Sequence, residues 1–425
     1  MKIYIVGIGM GSTHTLTLAA QTAIVEADLL LGAARMVQSA QQLRLEAGCQ
    51  PAKQSEAIAP KAIATAIADA GDVALCVVLC SGDTGFFSLA SSVRDVLGEE
   101  FPQAAVETLP GITTVQYLAA KLGRPWQQVR LGSAHGRDCN VLGLVLSNPE
   151  VFLLTGGEQT PATIIEMLCK CGLGSCQIVV GERLSYEDER ITHSNAEGLL
   201  GKPFDALSAI WISHGPLVDE AVQDYVGVGG IPDEAFIRGE VPMTKRDVRA
   251  LCTARLHPAR GEVVWDVGAG TGSVSIEAAC MQPFARVFAV ETKPQGCRLI
   301  EENRSKFGAY NVQVVEGRAP EALEGLPAPD AAFIGGSTGG LEQIVRYILT
   351  ANSGARLVIT AVTLETIAQT SRLLNALQHE GLLGEYQAMQ IAAASTRKAG
   401  NYHLMQAENP IMIFEAAGRE PKEAE

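Results

Sequence analysis

The chain has 425 residues, 33 of them Lys or Arg and 47 Asp or Glu, giving a formal net charge of −14. That length predicts two or three domains, each able to bury a core, and 47% hydrophobic with 19% charged residues excludes a largely disordered chain. The acidic balance argues against gripping nucleic acid or an anionic membrane through bulk charge, while leaving room for a local basic pocket.

Read in chain order, the first strand is expected at 2–8. It starts without a cleavable apolar region, which points to the cytoplasm. A helix is expected at 16–27 and a fully buried strand at 73–80, where Cys76 and Cys80 share one face. A helix at 86–97, a strand at 104–109 and apolar runs at 151–155, 177–181 and 206–212 complete the first half. No run reaches the roughly 18 apolar residues of a membrane span. Residues 214–232, rich in Gly, Asp and Pro, read as a linker between domains at 1–213 and 233–417. The second domain opens on a helix that Thr244 can cap, with Val248, Leu251 and Cys252 on its buried face. Strands are expected at 263–267, 286–291, 312–316, 331–335 and 356–362, alternating with helices, which makes the domain α/β with a doubly wound parallel sheet. Two long strands at 386–393 and 403–415 should close that sheet as an antiparallel pair, and 418–425 reads as a frayed tail.

Ten cysteines form no zinc pattern. Cys169, Cys171 and Cys176 come nearest, but they lack a CxxC pair, so no metal site is expected. No Ser-His-Asp or Cys-His constellation is evident either. His135 and His214 read as hydrogen-bonded loop histidines rather than acid–base groups, and Trp126, Trp211 and Trp265 as core or interface residues.

The strongest chemical signal is Asp266-Val267-Gly268-Ala269-Gly270-Thr271-Gly272 between a strand and a helix. Glycines there let the backbone approach a ligand and supply amides at a helix N-terminus. Glu291 ends the next strand about 20 residues on, where a carboxylate can accept both ribose hydroxyls. Ala319, in Glu316-Gly317-Arg318-Ala319-Pro320, follows the third strand, where an adenine ring would lie. The glycine spacing differs from the G-x-G-x-x-G of dinucleotide folds, which disfavours an NAD-dependent reductase. This segment resembles the first motif of the class I methyltransferases, which implies a Rossmann-like domain and S-adenosylmethionine.

Three further loops end strands of the first half: Gly7-Ile8-Gly9-Met10-Gly11, Ser81-Gly82-Asp83-Thr84-Gly85 and Pro110-Gly111-Ile112-Thr113. Open α/β sheets bind ligands at such carboxyl ends. Together the loops resemble the tetrapyrrole methyltransferase family, which binds S-adenosylmethionine between two α/β lobes. The family's usual G-D-P has Thr84 in place of proline here. One chain holding both kinds of domain resembles the fused, decarboxylating precorrin methyltransferases of cobalamin biosynthesis. Supporting stretches are Ser133-Ala134-His135-Gly136-Arg137, Val180-Gly181-Glu182-Arg183-Leu184, Ile231-Pro232-Asp233, Met243-Thr244-Lys245-Arg246 and Glu408-Asn409-Pro410-Ile411.

That resemblance implies methylation at C-5 of the precorrin by the first domain. It implies methylation at C-15, with decarboxylation of the C-12 acetate, by the second. It further implies two S-adenosylmethionine sites per chain, a tetrapyrrole partner and a homo-oligomer. Expected donor contacts are Gly82, Asp83, Thr84 and Gly85, with Gly9 a weaker candidate, in the first domain. In the second they are Gly268, Ala269, Gly270, Thr271, Gly272, Glu291 and Ala319, with Thr244 from the resemblance alone. Asp83 is expected to shape its loop or orient substrate rather than act as a base. Lys245, Arg246, Arg249, Arg397 and Lys398 are candidate anchors for substrate carboxylates. Two alternatives stay open: the same chemistry on a cobalt-loaded ring, and an RNA or protein methyltransferase carrying a non-catalytic first domain.

Overall fold

A computed structural model describes residues 1–136 and 139–419. Arg137, within one of the stretches that carry the family resemblance, and all but the first two residues of the expected tail lie outside the described residues. Two compact units emerge. One comprises Met1–Cys139, Glu150–Cys169 and Gly174–Ser213; the other comprises Asn140–Pro149, Lys170–Leu173 and His214–Glu425. Among the described residues no helix is long and apolar enough to cross a membrane.

The first unit holds two five-stranded sheets. Strands β1 (Lys2–Gly7), β2 (Leu29–Leu31), β3 (Lys53–Ser55), β4 (Leu75–Cys80) and β5 (Ala105–Leu109) run parallel in the order β3-β2-β4-β1-β5. Both faces of this sheet are covered, which is why 73–80 reads as one apolar run rather than an alternating one. Ile3, Ile5, Cys76 and Val78 pack with Ile63, Ile67, Val93 and Leu97 on one face. Val6, Val77 and Leu79 pack with Ile24 and Val37 on the other. Strands β6 (Arg130–Ser133), β7 (Glu150–Leu154), β8 (Gln177–Glu182), β9 (Arg190–Asn195) and β10 (Ser208–Ser213) form the second sheet in the order β6-β7-β10-β8-β9. There only β6 and β7 pair in parallel. The strand expected directly after Asp28 is β2. Strands β3, β6 and β9 were not expected: β3 is three residues long, and β6 and β9 have few apolar residues, so none offers a clear hydrophobic period.

The second unit carries β11 (Val263–Val267), β12 (Arg286–Glu291), β13 (Val312–Glu316), β14 (Ala331–Ile334), β15 (Arg356–Ala361), β16 (Gln387–Ile391), β17 (Ala394–Ala399), β18 (Tyr402–Ala407) and β19 (Ile411–Ala417). Seven of these form one sheet, β13-β12-β11-β14-β15-β19-β16, parallel except for β19 against its two neighbours. Trp265, Phe288, Ile334 and Leu357 pack with Ile344, Ile348, Leu374 and Leu377 on one face. Val264, Val287 and Ala289 meet Ile276, Ile300 and Phe307 on the other.

Four expectations are corrected. The strand expected over 403–415 is two strands, because Pro410 lacks the N–H that would continue the ladder. Its first half pairs with β17 as a separate two-stranded hairpin, and β19 alone enters the large sheet. Residues 214–232 are no free linker: Asp219 caps a short 3-10 helix, Glu220–Tyr225, and Val222 and Ile231 are buried beside Ile276 and Phe307. Thr244 does not cap its helix, which runs Arg246–Leu256 from an N-cap at Lys245 without a side-chain bond. Gly418 and Arg419 are not frayed; their amides donate to Ala355 and Leu382 carbonyls. Trp211 and Trp265 are core residues, whereas Trp126 is exposed.

A buried ion pair joins the helix Arg246–Leu256 to the helix Ser273–Met281. Arg249 and Glu277 are both fully buried, with Arg249 Nε donating to Glu277 Oε2 at 2.8 Å. The guanidinium also donates to Asp233 Oδ1, to the Thr244 carbonyl at 2.7 Å and to the Ile231 carbonyl. Glu277 accepts the amides of Gly230 and Ile231 and the Thr253 hydroxyl. Removing one partner strands the other charge without water, at a cost of about 3–5 kcal/mol. Arg249→Met should therefore lower the chemical-denaturation stability of the second unit by about that amount. Arg249→Met/Glu277→Met should recover part of it; equal stability of wild type and single variant would contradict this role.

Candidate functional site

Each unit has a cavity at the carboxyl ends of its parallel strands. In the second unit it measures about 400 Å³, within the range typical of small-ligand sites. Gly268, Ala269, Gly270, Glu291, Ala319 and Thr244 line it. The turn after β11 requires its glycines twice over. Gly268 and Gly270 have φ of +76° and +61°, a region that L side chains avoid. A Cβ on Gly268 would also stand 2.6 Å from the Gly336 carbonyl oxygen, and one on Gly270 2.6 Å from that of Pro242.

The loop amides do not all point outward as the motif suggests. Those of Gly268 and Ala269 donate to the Val290 carbonyl, and that of Gly270 donates to Glu291 Oε2 at 2.7 Å. Glu291 Oε1 accepts the Lys293 amide at 2.9 Å. The carboxylate is thus held at the end of β12 by two backbone amides and by the Thr292 hydroxyl, which donates to Oε1 at 3.3 Å, at the wall of the cavity it lines. Gly317 donates to the Glu291 carbonyl, which brings Ala319 beside the same space. This set, a fixed carboxylate and a small apolar residue beside a glycine turn, suits a ribose and a flat base. Thr271 and Gly272 are not among the lining residues. Thr271 is fully buried and Gly272 caps the helix Ser273–Met281.

The expected anchors separate sharply. Lys245 lines the cavity, with an ion pair to Asp233 at 3.8 Å. Arg246 donates to the Gly230 carbonyl. Arg249 is committed to the buried ion pair and has no surface to offer a substrate. Arg397 and Lys398 sit on the exposed β17–β18 hairpin, opposite Leu404 and His403, and do not line the cavity. Lys293 lines it and was missed, although a cation two residues past the expected ribose acid is visible in the sequence.

Asp266, one residue before the end of β11, was also passed over. It is buried, accepts the Ser275 amide and hydroxyl, and its Oδ1 has no hydrogen-bond partner among the described residues. Burial pushes its carboxyl up to about 7, against the two bonds from Ser275 and aided by the Glu291 carboxylate.

In the first unit the cavity measures about 350 Å³. Of the expected donor contacts only Gly82 lines it; Gly9, Asp83, Thr84 and Gly85 do not. Asp83 turns inward, accepting the Gly85 amide at 2.8 Å and the Gly111 amide at 3.0 Å, so it ties two loops together. Gly9 and Gly82 exchange backbone hydrogen bonds. A Cβ on Gly7 would lie 2.7 Å from the Gly111 nitrogen and one on Gly111 2.3 Å from the Gly82 oxygen, so the three loops meet backbone to backbone. His135 lines the cavity, whereas His214 is bonded to the carbonyls of Gly215, Val145 and Asn148. Burial raises the Cys80 thiol at the wall, against a hydrogen bond from Ser88, so it is not an activated nucleophile. Among the described residues no cluster of His, Cys, Asp or Glu could hold a metal ion.

Because the Asp266 carboxyl is raised in the folded state, folding takes up a proton between about pH 4 and 7, and stability falls as pH rises through that window. Asp266→Asn does not titrate there. Its thermal midpoint relative to wild type should therefore climb by several degrees from pH 5 to pH 8; a constant difference would refute the buried-carboxyl assignment.

Comparison with known proteins follows the two units. The tetrapyrrole (corrin/porphyrin) methylase family matches residues 2–200, and the precorrin methyltransferase domain family matches 234–417. A protein of Sinorhizobium sp. named precorrin-6Y C(5,15)-methyltransferase [decarboxylating] is 35% identical over 290 residues, covering 68% of each chain. A protein of Pyrobaculum calidifontis named probable cobalt-precorrin-6B C(15)-methyltransferase (decarboxylating) is 42% identical over 44% of this chain and 95% of its own. A crystal structure named precorrin-6Y C5,15-methyltransferase, from Geobacter metallireducens GS-15, aligns at 38% identity and a TM-score of 0.41, over 44% of this chain and 97% of that one. With both domain families matched in tandem, and a relative this similar covered over two thirds of its length, the chain belongs to the decarboxylating precorrin-6Y C(5,15)-methyltransferases.

Proposed function

We propose that the chain is a cytoplasmic enzyme with two S-adenosylmethionine sites, methylating a precorrin at C-5 in the first unit and at C-15 in the second. Decarboxylation of the C-12 acetate is assigned to the second unit as well. The observation that carries this reading is the pair of separate cavities, one per unit, each built at the carboxyl ends of parallel strands. Two meso carbons on opposite parts of a macrocycle need two lines of approach, and one donor site could not serve both without releasing and turning the ring.

S-adenosylmethionine supplies a methyl group already activated by a sulfonium charge. The protein's share is alignment of the ring carbon and exclusion of water, so a strong nucleophile is not needed. In the second unit Glu291 would take the ribose hydroxyls, Ala319 would face the base, and the backbone at Gly268–Gly270 would follow the rest of the donor. Lys245 and Lys293 would meet carboxylates of the substrate. In the first unit Gly82 would give the backbone approach, with Asp83 acting as the loop tie rather than a donor contact. Self-association is part of the proposal, supported by Tyr402, Leu404 and Met405, which are 76%, 52% and 81% exposed on β18.

Glu291→Ala separates the two sites. Calorimetric titration with S-adenosylhomocysteine should give two sites per wild-type chain and one in the variant, with C-15 methylation reduced at least 100-fold and C-5 methylation within twofold. Parallel loss of both methylations would sink the two-site reading.

A further inference from the structure

The cavity of the first unit has an uneven chemistry. Its mouth is apolar: Ile58, Phe87 and Leu89 line it while remaining 57%, 41% and 54% exposed. Phe87 holds φ at +49°, an unusual setting for an aromatic residue, and its ring stands edge-on to Phe86 at 4.9 Å between centroids. Among the described lining residues there is no Asp or Glu, and Arg35 is the one Lys or Arg. An apolar rim suits the face of a flat macrocycle. A substrate carrying acetate and propionate groups also needs a cation, and among the described lining residues Arg35 is the one guanidinium.

Arg35 lies in the first turn of the helix Ala34–Glu46. It is exposed, and its Nη1 donates to the Tyr186 hydroxyl at 3.1 Å. That partner is a neutral phenol, a weak match for a fork of five donors that fits a carboxylate two bonds at a time. Tyr186 is itself fixed independently. It follows Ser185, whose amide donates to Glu189 at 2.7 Å and whose hydroxyl accepts the Ser12 amide. Glu189 is held in turn by Tyr117 and Lys121. The loop therefore does not depend on Arg35 for its shape, and the guanidinium is free to exchange the phenol for a better acceptor.

We propose that Arg35 is the substrate-anchoring residue of the first unit. Its guanidinium leaves Tyr186 and pairs with an acetate or propionate carboxylate of the tetrapyrrole at the cavity mouth. The assignment rests on the reading of this unit as the C-5 methyltransferase.

The test is steady-state C-5 methylation by the full chain, comparing wild type with Arg35→Ala, Arg35→Lys and Tyr186→Phe. Loss of a charge-assisted bidentate contact should raise KM for the tetrapyrrole at least tenfold in Arg35→Ala, leaving kcat and the KM for S-adenosylmethionine within twofold. Arg35→Lys should recover part of the loss. Tyr186→Phe should leave KM unchanged or lower it, since the guanidinium no longer has to leave a partner. An unchanged KM in Arg35→Ala overturns the proposal, as does a rise in Tyr186→Phe equal to that in Arg35→Ala, which would make the pair a structural latch. If wild type itself does not methylate C-5, the underlying reading falls and the anchor with it; active wild type beside an indifferent variant removes the anchor alone.

Discussion

Backbone packed directly on backbone at the carboxyl ends of parallel strands is the constraint on which both units depend. In the first, the turns at Gly7, Gly82 and Gly111 approach so closely that a methyl group on Gly7 or Gly111 would sit within 2.8 Å of a neighbouring main chain. In the second, Gly268 stands against Gly336 and Gly270 against Pro242. Side chains are excluded there, so the turns are set by the sheets, and they carry Gly82 to the wall of the first cavity and Gly268 and Gly270 to the wall of the second. That rigidity matters for a reaction in which the protein mainly aligns two partners, since effective concentration is lost quickly with misplacement.

Around those turns the second unit places charge with little access to water. Arg249 and Glu277 neutralise one another while bonding Gly230, Ile231, Asp233 and Thr244, so the segment leading to the Val241–Lys245 wall is fixed from behind. Asp266 does the opposite: its carboxyl is buried with one oxygen unpartnered among the described residues and is held near neutrality by desolvation. Glu291, also buried, serves the loop, accepting the Gly270 and Lys293 amides. Three acidic residues in one domain thus have three roles, decided by what each carboxylate touches rather than by its residue type.

Much of this was legible in the sequence. The order strand, glycine turn, helix and acid is local chemistry, and every strand of the second unit from β11 to β15 falls where its apolar run predicts. Long-range partners were not legible. Arg249 on a helix looks like a solvated cation until Glu277, 28 residues later, is folded against it. Asp83 shapes its own loop as expected, accepting the Gly85 amide, but its reach to the Gly111 amide 28 residues on has no local signal. Thr271 and Gly272 share a motif with Gly268 but turn under it, away from the cavity. The Asn409-Pro410 break carried a clear signal against a continuous strand; the long apolar-polar alternation around it masked that signal, and with it the exposed hairpin.

The central claim is that one chain performs two methylations and one decarboxylation on a single ring. Mass spectrometry of the tetrapyrrole after incubating the pure chain with S-adenosylmethionine and precorrin-6B, metal-free in one arm and cobalt-loaded in the other, tests it most directly. The account predicts gain of two methyl groups with loss of one carbon dioxide, and the arm that reacts identifies the form of the ring. An unchanged ring in both arms would contradict it.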